Sequence, residues 1–129
     1  LIPAEAIVYG RLPLMITENC LVQNETGCHL SETGDAVPQQ APCRKPNDLQ
    51  DRTGAKFPLL PAYGHRTEIQ NSAPVWLDKP EWKHCGLTYA RLRFTTEAPA
   101  ECTDIFQAYQ TGAPASGPFT RGLYYRGVD

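Results

Sequence analysis

The chain has 129 residues, with 12 Lys and Arg against 14 Asp and Glu for a formal net charge of −2. That balance excludes a simple polycation, so any nucleic acid would be held by local contacts rather than by a basic stripe. Twelve prolines and ten glycines stay below the ~25–30% of low-complexity chains, and a hydrophobic fraction of 41% can supply a core. The expectation is one folded, loop-rich domain or a piece of one. No run approaches the ~18–20 apolar residues of a membrane span, and the start lacks the basic-then-apolar pattern of a secretion signal. A chain that opens on Leu1 and enters a strand-like run almost at once reads as a fragment of a longer protein.

In chain order, Ala6-Ile7-Val8-Tyr9 closed by Gly10 suits a buried strand, and Leu12 to Ile16 continues extended or in a turn because Pro13 cannot donate to a ladder. Residues 17–47 show no sustained period and form a cysteine-bearing loop. At about 30 residues it is too long to be an idle connection. Asp51-Arg52-Thr53-Gly54 has the chemistry of a tight turn, so residues 49–60 read as a hairpin whose edge strand carries Pro58. Glu68 to Asn71 is a further short extended piece.

A helix follows with clear signals: Asp78 as N-cap, Pro80 in the first turn, Glu81 completing a capping box and Gly86 past the end. Residues 87–94 alternate, with Ala90, Leu92 and Phe94 on one face and Tyr89, Arg91 and Arg93 on the other. A second helix has Pro99 in its first turn, Glu97 and Glu101 at its positive end, and Gly112 as C-cap; its stripe of Cys102, Ile105, Phe106 and Tyr109 places Cys102 in the core. The order suggests a β-x-α-β-α run with parallel main strands, hence an α/β piece. Residues 1–112 are expected to form a single α/β domain fragment, and 113–129 a Gly/Pro-rich linker and docking tail.

Five cysteines are an odd number for a disulfide framework, and without a secretion signal they point to a cytoplasmic setting. Cys20, Cys28 and Cys43 fall in the polar loop with the spacing C-x7-C-x14-C. Thiolates gathered in a loop suit zinc or an iron–sulfur cluster; the competing reading is a set of unconnected thiols, because the tight C-x2-C knuckle is missing. His65 is the first choice for a fourth ligand and Cys85 the second, though Cys85 also suits helix packing. His29 points away if Cys28 points in, and His84 fits a charge partner for its helix C-terminus. No G-x-S-x-G, H-E-x-x-H, Walker-type or dinucleotide-binding motif is present, and no local signature selects a Cys/His protease pair.

Several runs together resemble the U32 family of bacterial proteins, long described as peptidases or collagenase-like proteases. They are residues 8–15 leading to Cys20, residues 51–58, Glu68-Ile69-Gln70-Asn71-Ser72, Arg91-Leu92-Arg93-Phe94-Thr95 and residues 120–128. The resemblance implies the last two strand–helix units of a TIM-like barrel, interrupted by the cysteine loop and hairpin, with an N-terminal barrel part elsewhere in the same protein. It further implies a [4Fe-4S] cluster, with Cys20 and Cys43 carried over as ligands, and oxygen-independent, prephenate-linked hydroxylation of a tRNA or rRNA base or of a quinone precursor. Relatives place a cysteine where this chain has Pro13, and this chain offers Cys28 instead; near Asn71 and Ser72 it has only His65. A Cys3His set could hold a cluster or, in an isolated fragment, zinc. Peptidase activity and a non-catalytic, metal-stabilised fragment stand as alternatives, and the fragment alone is expected to be inactive. In the tail, Arg121, Tyr124 and Arg126 could stack on unpaired bases; alternatively Phe119, Leu123 and Tyr125 anchor the chain end.

Overall fold

The computed structural model describes residues 2–28 and 40–125. The chain is mixed α/β: β1 (Glu5–Gly10), β2 (Pro13–Thr17), α1 (Leu21–Thr26), β3 (Asp48–Gln50), β4 (Lys56–Ala62), β5 (Arg66–Gln70), β6 (Val75–Trp76), α2 (Lys79–His84), β7 (Tyr89–Leu92) and α3 (Pro99–Thr111). It divides into two compact units, Leu1–Leu12 with Ala73–Asp129, and Pro13–Ser72. No helix among the described residues is long and apolar enough to cross a membrane. His29 and Arg126 lie outside the described residues.

The first unit is built on a three-stranded sheet of order β6-β1-β7. β1 runs parallel to β7 and antiparallel to β6, so the expected parallel pair is present. The additional strand β6, only two residues long, gives too short a signal to read in sequence. Val8, Tyr9, Val75 and Trp76 are buried. The Tyr9 ring meets Trp76 edge-on at 5.7 Å, and Trp76 stacks on Tyr109 at 4.6 Å. Tyr109 also donates its hydroxyl to the Val8 carbonyl at 2.9 Å, fastening α3 to the central strand. Gly10 is required where β1 meets Arg93: at φ +139° an added Cβ would lie 2.5 Å from the Arg93 carbonyl oxygen, a separation no side chain tolerates.

α3 starts with the Glu101 carboxylate accepting the Ala98 N–H at 2.7 Å and ends on Gly112 in the left-handed region. Its stripe is narrower than its sequence pattern. Phe106 is half exposed and Cys102 only half-buried, because no residue of α3 is fully covered. α2 opens as the capping pattern predicts, with the Glu81 carboxylate accepting the Asp78 N–H. Lys83 and His84 stand in its last turn, where positive charge suits the helix C-terminus.

The tail folds back onto this unit. Thr120 bridges Val75 in parallel, donating its N–H to Pro74 and accepting from Trp76, both at 2.9 Å. Arg121 then reaches the Trp76 carbonyl at 3.1 Å, Asp78 at 2.8 Å and Glu81 at 2.5 Å, with Phe119 beneath its guanidinium. Tyr124 donates to the Glu81 carbonyl and Tyr125 to the Glu81 carboxylate. Arg121 and Tyr124, considered above as base-stacking groups, are thus engaged in docking the chain end.

The second unit is a four-stranded antiparallel sheet of order β2-β5-β4-β3. Asp51 shapes the β3–β4 turn by accepting the Thr53 and Ala55 N–H groups at 2.8 and 3.0 Å. Pro58 was expected on an edge strand, but β4 lies inside the sheet. It is tolerated because β3 is only three residues long and faces Pro58 with its first residue, Asp48, after which Leu59 donates instead to Asn47. β2 is an edge strand, with Leu14, Met15 and Ile16 each more than half exposed.

Two outcomes are expected. Glu81→Ala leaves Arg121 and the Tyr125 hydroxyl without their carboxylate and α2 without its cap acceptor, and should lower stability by about 2–4 kcal/mol, read as a melting fall of roughly 10 °C. Glu97 concerns acid stability. Burial opposes its charge, but the N–H groups of Thr95 and Thr96 and the Tyr9 hydroxyl hold its pKa below the ordinary carboxylate value. Its stabilisation is therefore present above the unfolded value near ~4.3 and lost as pH falls through the lower folded one. Melting followed from pH 6 to 3 should show a shallower acid limb in Glu97→Gln than in the parent chain.

Candidate metal centre

Residues 17–47, featureless in periodicity, contain the short helix α1. A six-residue helix is marginal alone, and this one is held by tertiary contacts. Thr67 of β5, 3% exposed, accepts the Leu21 N–H on its hydroxyl at 3.0 Å, replacing the cap acceptor that Cys20 does not provide. Val22 is buried. Gly27 in the left-handed region closes the last turn with its N–H on the Gln23 carbonyl at 2.9 Å. Cys20 therefore precedes the helix and Cys28 follows its closing glycine.

Cys43 sits in a separate 3-10 turn, Pro42–Arg44, that packs against α1. Asn47 holds this turn by donating its side-chain amide to the carbonyls of Pro42 at 3.1 Å and Lys45 at 2.7 Å. Burial pushes the Cys43 thiol up first, and the neighbouring Cys20 and Cys28 push it further. The structure thus brings the three loop cysteines into one electrostatic neighbourhood.

His65 comes from the turn between β4 and β5. Its φ is +58°, the one left-handed residue other than glycine among the described residues, and Gly64 before it is left-handed too. Histidine adopts this region more readily than most residues, yet at a conformational cost, and such positions gather at functional sites. Cys20, Cys28 and His65 line a single cleft of about 570 Å³. As they stand, no three His, Cys, Asp or Glu side chains among the described residues are disposed to hold one metal ion.

The other candidates are elsewhere. Cys85 is exposed at the end of α2, in the other unit, with the Tyr124 hydroxyl beside it. Cys102 lies on α3, its thiol 3.9 Å from the Glu97 carbonyl. Sequence reading missed three cleft-lining amides, Asn19, Gln23 and Asn24; Leu21–Thr26 followed by Gly27 was the available signal, a single turn too short to stand out by period. Compared with models of known families, with curated proteins and with solved structures, the chain matches none.

Because Thr67 is the tether of α1, Thr67→Val removes the acceptor while keeping the shape. The expected result is a loss of about 1–2 kcal/mol and faster amide hydrogen exchange over residues 21–28, with exchange in β1 and β7 unchanged.

Proposed function

We propose that Cys20, Cys28, Cys43 and His65 form a soft-metal centre, and that the chain is a piece of a U32-type protein in which this centre serves oxygen-independent hydroxylation. The observation that carries the reading is that two thiols and an imidazole from separate turns line one cleft, with a third thiol, raised first by burial and then by Cys20 and Cys28, on the turn packed against α1. A cation that binds several cysteines as thiolates offsets the repulsion between their charges. The donor set fits a [4Fe-4S] cluster or zinc; bonds of ~2.3 Å require the side chains to close from where they now stand. A bound cluster would supply one-electron transfer. The chain's own part is to hold the donors, through the Thr67 tether of α1 and the left-handed turn that presents His65.

The parallel β1–β7 pair followed by α3 supports reading the first unit as part of a TIM-like barrel completed by an N-terminal portion of the same protein, acting in the cytoplasm on a tRNA or rRNA base or a quinone precursor. The peptidase alternative would pair one of the five thiols as nucleophile with one of the three histidines, His29, His65 or His84, as base, with no metal.

Protein purified without oxygen is expected to carry iron or zinc, with a visible band that bleaches with dithionite if a cluster is present. Cys20→Ser and Cys43→Ser should each lose most of it. Equal metal content and unchanged melting in both variants would sink the centre. Cleavage of a peptide by metal-free protein, abolished in a thiol variant, would favour the peptidase.

A further inference from the structure

The first unit has a cavity of its own, where the start of α2 meets the end of α3. Its walls are mainly apolar, made by the rings of Trp76 and Tyr109 with Pro80, Ala108 and Pro114. At about 280 Å³ it is nearly twice the ~150 Å³ that encloses a benzene ring.

The polar groups of these walls divide into engaged and open ones. Asp78 accepts from the Trp76 indole at 2.9 Å and pairs with Arg121 at 2.8 Å, and the Tyr109 hydroxyl is held by the Val8 carbonyl. Two features of opposite sign stay open. Lys79 makes no hydrogen bond or ion pair with other described residues. It stands in the first turn of α2, the end of a helix that disfavours a cation, so α2 itself gives no reason for a positive charge there. The other feature is the last turn of α3. Ala113 gives its N–H to the Ala108 carbonyl at 3.0 Å and Pro114 has none to give, so the Tyr109 and Gln110 carbonyls receive no backbone N–H among the described residues. No basic residue in that turn offsets the negative helix end.

A hydrocarbon would fill the apolar walls and leave both polar features unmatched. A simple anion would meet Lys79 but also the negative end of α3, and a simple cation would be repelled by Lys79. A small zwitterion with an apolar body matches all three. We propose that this cavity binds a free α-amino acid with an apolar side chain, its carboxylate on Lys79, its ammonium group on the terminal carbonyls of α3 and its side chain against Trp76 and Tyr109. The site uses none of the loop cysteines and stands or falls apart from the metal centre.

The test is an NMR titration of the full chain with four probes: L-leucine, isocaproate, which lacks the amine, isoamylamine, which lacks the carboxylate, and glycine, which lacks the apolar body. Leucine is expected to saturate and to shift the amides of residues 79 and 108–113, and each of the others to bind at least five-fold more weakly. Lys79→Gln should weaken leucine at least five-fold and leave isoamylamine unchanged, and Ala108→Leu, which fills the cavity, should abolish both. Failure of leucine to saturate, equal affinity for any of the other three probes, or wild-type leucine affinity in Lys79→Gln would each overturn the proposal. If Lys79→Gln lowers the melting temperature, isoamylamine decides: unchanged affinity upholds a cavity that has lost only its carboxylate partner, and lost affinity makes the lysine a structural charge partner of α3 and overturns the site.

Discussion

The Glu81 carboxylate holds the first unit together from inside a helix. It is nearly buried, and burial of a charge is costly unless every oxygen is used. Here one oxygen serves the Asp78 N–H and the Arg121 guanidinium and the other the Tyr125 hydroxyl. A single side chain therefore both starts α2 and clasps residues 120–125. That clasp in turn seats Thr120 against β6, a strand too short to persist with a neighbour on one side only. β6 carries Trp76, whose ring stacks on Tyr109 and meets Tyr9, so the aromatic core of the unit depends on the polar contact at its margin.

The second unit solves a different problem. α1 has one buried residue and six in all, too little to form from propensity. A threonine hydroxyl from the sheet and a glycine at the far end fix its two termini, and each terminus adjoins a cysteine. The 3-10 turn at Cys43 is fastened by the Asn47 amide in the same fashion, by side chain to backbone rather than by packing. Polar tethers of this kind position groups without covering them, which suits side chains that must remain reachable.

Much of this was legible where local chemistry is strong. The Asp78–Glu81 pattern, the Asp51 turn and the Pro99 to Gly112 helix all follow from capping and turn rules that act within a few residues. The cysteines of the loop also announced themselves, through their company rather than their spacing. What the sequence hid was set by partners distant in the chain. The tether of α1 lies 46 positions away in Thr67, and the docking of Arg121 on Asp78 spans 43; neither leaves a periodic trace. The inner placement of Pro58 was missed because it turns on where β3 stops, and the left-handed backbone of His65 because only its preceding glycine hints at it. Phe106 matched a core period on a helix that no second layer covers among the described residues.

β2 carries a consequence for handling the molecule. Its five residues, Pro13-Leu14-Met15-Ile16-Thr17, hold no charge, and its outer edge has no strand beside it among the described residues. Natural sheets usually blunt such an edge with lysine or a bulge; here there is no lysine, and the leading proline and a register shift against β5 between Pro13 and Met15 disturb only the start of the strand. The row of unpaired amides beneath three exposed apolar side chains is a template for strand addition by any unfolded chain nearby, so self-association in concentrated solution should begin at this edge while the buried aromatic core is still intact.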